Sequence, residues 1–428
     1  MTNSAAALET GTEITLEVTG IAHGGVAIAR HEGRVIFVHD TMPGETVRAE
    51  LTEVKKNFAR AVTTEVLQAA PERVPHIWHA ASVDRKPKWR AGGAEFGHIE
   101  LAAQRELKTR VLTDALQRQG KIAASEMPEF EVLPLAGDDE AGGLGWRTRV
   151  RLQVDRETGV VGPYAARSHR VVPVTDLPLA VPELLPLAPL GESMPDVAAV
   201  DLIAPNSADA RMLLTYHGEA APVGADDVVY ETVFDSEFQV RAGGFWQVHT
   251  GAAERLYAEV AGATAALGER LDPSANNLDL YGGVGLLAAA FLDTAGERAR
   301  IASIEAVESA TDLAAENLSE FTGAQALTAR TEDYLADLLR GSALTREKLR
   351  RATVVADPPR SGLGVKTVAQ LLELQPANLI YVACDPVAFA RDTQLLQTGG
   401  YTLVELRGLD MFPHTHHFET IGLFLRDN

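Results

Sequence analysis

The chain has 428 residues, 46% hydrophobic and 23% charged, an ordinary globular composition that excludes collagen-like, coiled-coil and wholly disordered chains and predicts about three domains at roughly 150 residues each. Its 59 acidic and 39 basic residues leave a net charge of −20, which argues against a uniformly basic nucleic-acid-binding surface. No apolar run reaches the ~18 residues of a membrane span, and the first residues lack the basic and apolar regions of a secretory signal, so a cytoplasmic protein without a membrane partner is expected.

Residues 1–10 read as a disordered tail. From Glu13 short alternating runs follow: Ile14, Leu16 and Val18; Val26 and Ile28; Val35, Phe37 and Val38; Val47, Ala49 and Leu51; Ala59, Ala61 and Val66. Period-2 runs punctuated by glycine and proline predict a five-stranded OB-like barrel over residues 10–70. Residues 71–97 are irregular. Residues 98–119 predict an amphipathic helix with Leu101, Leu107, Val111, Leu112 and Leu116 on its apolar side, ended by Gly120. Residues 129–235 look β-rich, and the stretch from Pro173 to Pro195 has no clear period. Residues 71–235 are therefore expected as a central domain, with helix 98–119 able to pack on the third. From residue 236 helical segments alternate with apolar strands at 277–281, 300–305, 352–356, 378–383 and 402–409. A final strand is expected at 417–425. That pattern predicts an α/β domain with a mostly parallel sheet over 236–428.

Local charge departs from the total. Residues 71–121 hold ten Lys/Arg against six Asp/Glu. The densest basic clusters are 84–90, which includes Trp89, and 145–151, which includes Trp146. Such islands are compatible with a localised nucleic-acid groove and equally with solvated faces. One cysteine, Cys384, excludes an intrachain disulfide framework, a Cys-based zinc site and a Cys-ligated iron–sulfur cluster.

Four constellations carry chemistry. In the first, strand 277–281 runs into Gly282-Gly283-Val284-Gly285 and a helix, and the next strand ends in Glu305, an acid placed for a ribose diol. The third glycine of a dinucleotide loop is missing. S-adenosylmethionine, another nucleotide or a plain structural turn all remain compatible. In the second, strand 352–356 delivers Asp357-Pro358-Pro359-Arg360. Two prolines stiffen the loop and hold Asp357 at the strand's carboxyl end. The third is Cys384-Asp385-Pro386 at a strand-to-helix turn, where a helix N-terminus is expected to lower the thiol pKa. The fourth is Pro413-His414-Thr415-His416-His417-Phe418-Glu419. Its histidines suggest a metal, but adjacent His416 and His417 would point oppositely on a strand, and no metal is expected. Glu419 reads as a carboxylate facing a cleft.

In this order the four resemble the RNA uracil-5 methyltransferase family, which acts on tRNA and 23S rRNA. The stretch Ala383 through Asp392 resembles that family's S-C-N-P-x-x-x-A-R-D motif, Pro413 through Glu419 its P-H-T-x-H-x-E, and Phe245 through His249 its F-x-Q-x-N. The barrel resembles a TRAM domain. The resemblance implies a Rossmann-like methyltransferase domain using S-adenosylmethionine, an RNA partner and a monomer. It implies Cys384 as nucleophile at C6 of uracil and Glu419 as the base that removes the C5 proton. It further implies Gln247, Tyr281, Glu305 and Asp357 at the cofactor, with Arg360 assisting substrate positioning. A catalytically impaired RNA-binding protein and a methyltransferase acting on another pyrimidine are the alternatives. The family's iron–sulfur stretch C-G-G-C is Ala91-Gly92-Gly93-Ala94 here, so no cluster is expected. Trp78 and Trp89 are expected to anchor that segment by packing instead. Gly282, Leu286 and His249 also depart from the family's motifs.

Overall fold

The structure is a computed structural model that describes residues 8–427. Strands β1 (Glu13–Ala22), β2 (Val26–His31), β3 (Arg34–His39), β4 (Thr46–Val54) and β5 (Phe58–Gln68) close a barrel in the order β1-β2-β3-β5-β4. Only the β3–β5 pairing is parallel. Of the alternation read from the sequence, Leu16, Val18, Val38, Val47, Ala49, Leu51, Ala59 and Ala61 fill its interior, but in β2 and β3 the inward face is Ala27, Ala29 and Ile36 in place of Val26, Ile28, Val35 and Phe37. The tail expected at 1–10 lies largely outside the described residues. Its described end is placed against the barrel, with Leu8 packed on the core and Glu9 O accepting from Thr12 N at 3.1 Å.

The chain then forms α1 (Leu101–Arg118) and β6 (Val132–Pro134). The central sheet combines β7 (Arg149–Val154), β8 (Val161–Gly162), β9 (Val197–Ile203) and β10 (Arg211–Tyr216) in the order β10-β9-β7-β8. The aperiodic stretch after Pro173 lines this sheet's core with Val174, Leu177, Leu179, Val181 and Leu184. Its burial follows no simple period because the segment wraps the core as loops and a 3-10 turn. Trp78 is buried there and donates to Asp176 at 2.9 Å. Trp89 is not the second anchor that was expected. It is half-buried beneath Arg170, while Ala91 and Ala94 pack into the core.

A hairpin, β11 (Val228–Val233) and β12 (Ser236–Arg241), leads to α2 (Ala252–Ala266). The α/β unit follows as β13 (Asn277–Leu280), α3 (Leu286–Ala295), β14 (Ile301–Glu305), α4 (Glu308–Asn317), β15 (Ala324–Thr328), α5 (Thr331–Arg340) and α6 (Ala343–Leu349). It continues with β16 (Thr353–Ala356), α7 (Gly364–Leu374), β17 (Asn378–Ala383), α8 (Pro386–Thr398), β18 (Tyr401–Asp410) and β19 (Glu419–Arg426). The eight-stranded sheet runs β15-β14-β13-β16-β17-β19-β18-β6, so β6 joins it from far upstream. Every residue of β16 and β17 is buried, as expected for strands covered on both faces. Ile380 and Val382 pack on one side with α2 and α3, whereas Leu379, Tyr381 and Ala383 pack on the other with α1, α7 and α8. Among the described residues, no helix is long and apolar enough to cross a membrane.

Helix α1 holds two polar residues on its buried face. Lys108 and Asp410 pair at 2.5 Å, each side chain 1% exposed, and Lys108 also donates to Phe412 O at 3.2 Å. Gln104 donates to Phe96 O and Ile99 O and accepts from His414 N at 2.8 Å. Stranding one partner of a buried pair costs far more than removing both. Lys108→Met should therefore lower stability by about 3–5 kcal/mol, and adding Asp410→Leu should recover much of that loss. Chemical denaturation of the two variants measures it, and equal losses would mean that the pair itself is strongly stabilising.

Candidate active site

The chain leaves β13 toward β14 and β15, then returns to place β16 on the other side of β13. Ligands of open α/β sheets bind in the crevice that opens at such a reversal, beyond the carboxyl ends of the strands. A cavity of about 1070 Å³ lies there. It brings together every residue singled out for the site: Gln247, Tyr281, Glu305, Asp357, Arg360, Cys384 and Glu419.

Strand register makes this convergence. Leu280 lies opposite Ala356, and Ala356 opposite Tyr381, so Tyr281 and Asp357 leave adjacent strand ends together. Ala383 pairs with Thr420 in the antiparallel β17–β19 ladder. One register step further brings Cys384 beside Glu419, although 34 positions separate them in the sequence. Tyr281 adopts a left-handed φ of 64° as the chain turns into the glycine loop, where Gly283 and Gly285 are also left-handed. Glu305 holds that loop by accepting from Gly283 N at 3.1 Å and Val307 N at 2.8 Å. Gly282 has a local reason: a Cβ there would lie 1.9 Å from the Ser303 hydroxyl oxygen and 2.6 Å from Asp279 Oδ2.

The cavity concentrates carboxyl groups. Asp279 is buried, accepts from Ser303 at 2.8 Å through one oxygen, and leaves the other without a partner. Burial raises its pKa to about 7, with the charge of Glu305 adding. Burial and the charge of Asp279 likewise raise Asp357 to about 7. Glu419 is raised well above the carboxylate range by burial and by Asp357, against the opposing charge of Arg360, and its Oε2 has no partner. The thiol of Cys384 is pushed up to about 12 by burial, then by Glu419 and Asp357. This reverses the lowering expected from a helix N-terminus. The turn is present, but the α8 amides of Val387 and Ala388 are taken by the Asp385 side chain at 3.0 and 2.8 Å, and two carboxyl groups face the sulfur.

Neighbouring residues set the loops. Asp392 accepts from Leu363 N at 2.8 Å and Tyr381 OH at 2.9 Å, and Arg391 donates to Ser361 O at 2.7 Å. The Arg391-Asp392 pair that follows the cysteine turn thus holds the loop that carries Asp357. Arg149 donates to Ala242 O and Gly244 O, both at 2.9 Å, bracing the loop that carries Gln247. The 145–151 cluster is therefore mostly internal: Trp146 is buried, and Arg147 is its member lining the cavity.

Other expectations change. His249 does not reach the cavity. It stacks on Trp146 at 5.4 Å and accepts from Gly251 N through Nδ1, which leaves Nε2 to donate to Asp138 at 3.0 Å. Leu286 supplies an apolar wall. His414 is occupied by Gln104 at 3.0 Å and Gly142 O at 2.8 Å. His416 and His417 do not point oppositely. Residues 412–418 form a turn before β19, and the two rings lie 3.9 Å apart. His417 contacts Arg360 at 3.3 Å. The barrel also reaches this end of the sheet, with His23 at 3.2 Å from Asp385. A Cβ on Gly25 would meet the His416 Cβ at 2.5 Å. The sequence reading did not single out Asp279, Arg391–Asp392 or His23. Asp279 and Arg391–Asp392 stood within quoted motifs, but only the tertiary contacts give them roles.

Comparison with known proteins gives consistent matches. A TRAM domain model matches residues 7–64, and a tRNA (Uracil-5-)-methyltransferase model matches residues 278–428. An uncharacterized RNA methyltransferase of Corynebacterium efficiens is 36% identical over 98% of this chain and 96% of its own. One of Streptomyces avermitilis is 34% identical over 96% and 98%. Among solved structures, the Pyrococcus abyssi tRNA (uracil-54, C5)-methyltransferase in complex with S-adenosyl-L-homocysteine shares the fold. Its TM-score is 0.67 at 18% identity, covering 96% of this chain and 100% of that one.

The raised carboxyls have a consequence for stability. A carboxyl with a higher pKa folded than unfolded binds more protons when folded, so its contribution falls as pH rises from the unfolded to the folded value. Asp279 and Asp357 therefore remove stability progressively between their ordinary 3.8 and about 7. Asp279→Asn should melt higher than the parent near about pH 8, the difference closing toward about pH 4. A parent that is more stable near pH 8 would show that this carboxylate is compensated.

Proposed function

This chain belongs to the RNA methyltransferases that join a TRAM domain to a tRNA (Uracil-5-)-methyltransferase domain, and on that premise we propose that it methylates C5 of a uracil in RNA through a covalent adduct with Cys384. The observation that carries the reading is the β17–β19 register, which sets a thiol beside a buried carboxyl at the mouth of the glycine-turn cavity.

The cavity fits S-adenosylmethionine. The left-handed glycine turn permits close approach of the backbone, Glu305 suits a ribose diol, and the unpartnered Asp279 oxygen awaits a donor. Bound there, the cofactor supplies an electrophilic methyl on a positively charged sulfur. The carboxyl groups of Asp279, Asp357 and Glu419 suit that charge. Gln247 and Tyr281 complete the walls.

C5 of uracil is a weak nucleophile. Addition of the Cys384 sulfur at C6 moves the C5–C6 π electrons toward C5 and O4, so that C5 could take the methyl group, whose bond to the cofactor's sulfur would break with the electron pair left on that sulfur as a neutral thioether. The thiol must first lose its proton, and the Arg360 charge, with a backbone hydrogen bond at Cys384, favours thiolate against its acidic neighbours. After methyl transfer C5 carries both its hydrogen and the new methyl. Glu419, ionised, takes that proton; the electrons re-form the C5–C6 bond and expel the Cys384 sulfur. A base within a folded RNA must be turned out of its stack to reach this cavity.

Two variants separate the two roles. Cys384→Ala should abolish methyl transfer and also the adduct with 5-fluorouridine-containing RNA, in which no C5 proton can leave, while cofactor binding survives. Glu419→Gln should slow turnover by about 10²–10⁴-fold, the usual cost of losing a general base, and accumulate denaturation-resistant protein–RNA carrying the new methyl group. Normal turnover by Glu419→Gln would remove it from the role. An adduct in Cys384→Ala would do the same for the cysteine.

A further inference from the structure

Four neighbouring strands of the sheet, β13, β16, β17 and β19, bring Asp279, Asp357, Cys384 and Glu419 to the cavity in that order. Asp279 is 1% and Glu419 6% exposed, and each holds one carboxyl oxygen without a partner. The charges that act on Asp279 and Asp357 are those of Glu305 and Asp279, both negative. Arg360 is the cation that reaches Glu419 and Cys384, and it is held by neutral His417 at 3.3 Å, not by a carboxylate. The other charges of the cavity are engaged elsewhere. Glu95 and Glu305 accept from the amides of Gly93 and Gly283. Arg147 donates to Arg149 O, and Arg241 to the main chain of Asp226, the remaining acid of the lining. Burial keeps the Tyr281 hydroxyl protonated.

This row of acids has a demand that one positive charge would meet. Neighbouring carboxyls in a poorly solvated site cannot all ionise, so the row retains protons near neutral pH until a cation joins it. S-adenosylmethionine and S-adenosylhomocysteine share an adenosine, an ammonium and a carboxylate. They differ by one methyl group and one positive charge, because loss of the methyl leaves the sulfur a neutral thioether. A sulfonium arriving beside the row takes the place of a proton. A thioether leaves that proton where it is.

We propose that the Asp279–Asp357–Glu419 row selects the methyl-bearing cofactor over its demethylated product by charge, exchanging a carboxyl proton for the sulfonium. The inference rests on the reading of the cavity as a site for S-adenosylmethionine. On binding, the displaced proton passes to solvent. In the reaction the row loses the sulfonium charge and gains the C5 proton through Glu419, so its total charge is the same before and after. Displacement of one proton makes affinity for the charged cofactor rise by up to about tenfold per pH unit, from the ordinary carboxyl range to about 7, where Asp279 and Asp357 lose their protons. Affinity for the neutral product has no such rise, and the preference is greatest above that value.

The test is isothermal calorimetry of the full chain with each of the two nucleosides, without RNA, in buffers of different ionisation heat so that released protons are counted. Near about pH 6 the parent should release up to about one proton more with S-adenosylmethionine than with S-adenosylhomocysteine. The ratio of the two affinities should climb by up to about tenfold per unit to about pH 7 and level above it. An analogue with a protonated amine in place of the sulfonium should follow S-adenosylmethionine, which separates charge from contact with the methyl. Asp357→Asn and Glu419→Gln should each lower the ratio at about pH 8 roughly tenfold, the scale of one carboxylate's interaction with one charge. Retained affinity for S-adenosylhomocysteine shows that the variant site is folded. Equal proton release by both nucleosides with a ratio that ignores pH, or a parent-like ratio in both variants, overturns the selection. A parent with the expected ratio that forms no adduct with 5-fluorouridine-containing RNA overturns the uracil reaction and leaves the selection standing. A parent that binds neither nucleoside overturns both.

Discussion

The loop between β18 and β19 is held by two polar side chains from a helix some 300 residues upstream, and the active end of the sheet depends on that hold. Lys108 neutralises buried Asp410 and ties down Phe412 O. Gln104 takes both the backbone amide and the ring of His414. Phe96 N adds a bond to His414 O at 2.9 Å, and the ring's other nitrogen is bound to Gly142 O. His414 sits at a left-handed φ of 64°, a conformation that persists only where its surroundings impose it. The loop so clamped begins β19 at Glu419, and the ladder then sets Glu419 against Cys384. Helix α1 is thus an internal brace on which the position of one carboxyl rests.

The same site is electrostatically costly when empty. Asp279, Asp357 and Glu419 line one cavity with a thiol, where burial and then neighbouring carboxyl charge raise proton affinities. Arg360 is the cation that opposes them. Such an arrangement gives up stability for function: carboxyls with unpartnered oxygens persist where a ligand completes them. It also explains why the thiol is not activated in advance. Burial, and then two facing carboxyls, outweigh a helix terminus whose first amides are already capped by Asp385.

The three parts of the chain meet around this end of the sheet. The β1–β2 turn of the barrel contacts Asp385 and packs on His416, and His416 in turn lies 3.7 Å from Glu95 of the central segment. Gly25 is required by that close approach as well as by its left-handed φ of 69°. Residues next to the cysteine and the glutamate are therefore set by contacts from outside the α/β unit.

Much of this was legible in the chain. Period-2 alternation gave the barrel strands, because one face of each must be apolar inside a closed barrel. Apolar runs ending in Asp357 and Cys384 marked central parallel strands, because those are buried on both faces. The cluster of motifs identified the residues that line the cavity, since short-range patterns such as Asp-Pro-Pro-Arg encode the loops that present them. Three things were decided only by tertiary structure. Gln104 and Lys108 interrupt the apolar face of their helix, and that these polar side chains are buried there was decided by partners more than 300 residues away that satisfy them. Trp89 was read as a core anchor, because residue type records size and polarity but not which side of a loop faces water. The thiol's proton affinity depended on how deeply the fold buries the sulfur and on which charges a strand register brings within its reach, and both burial and the register between β17 and β19 are properties of the folded sheet, not of either strand alone.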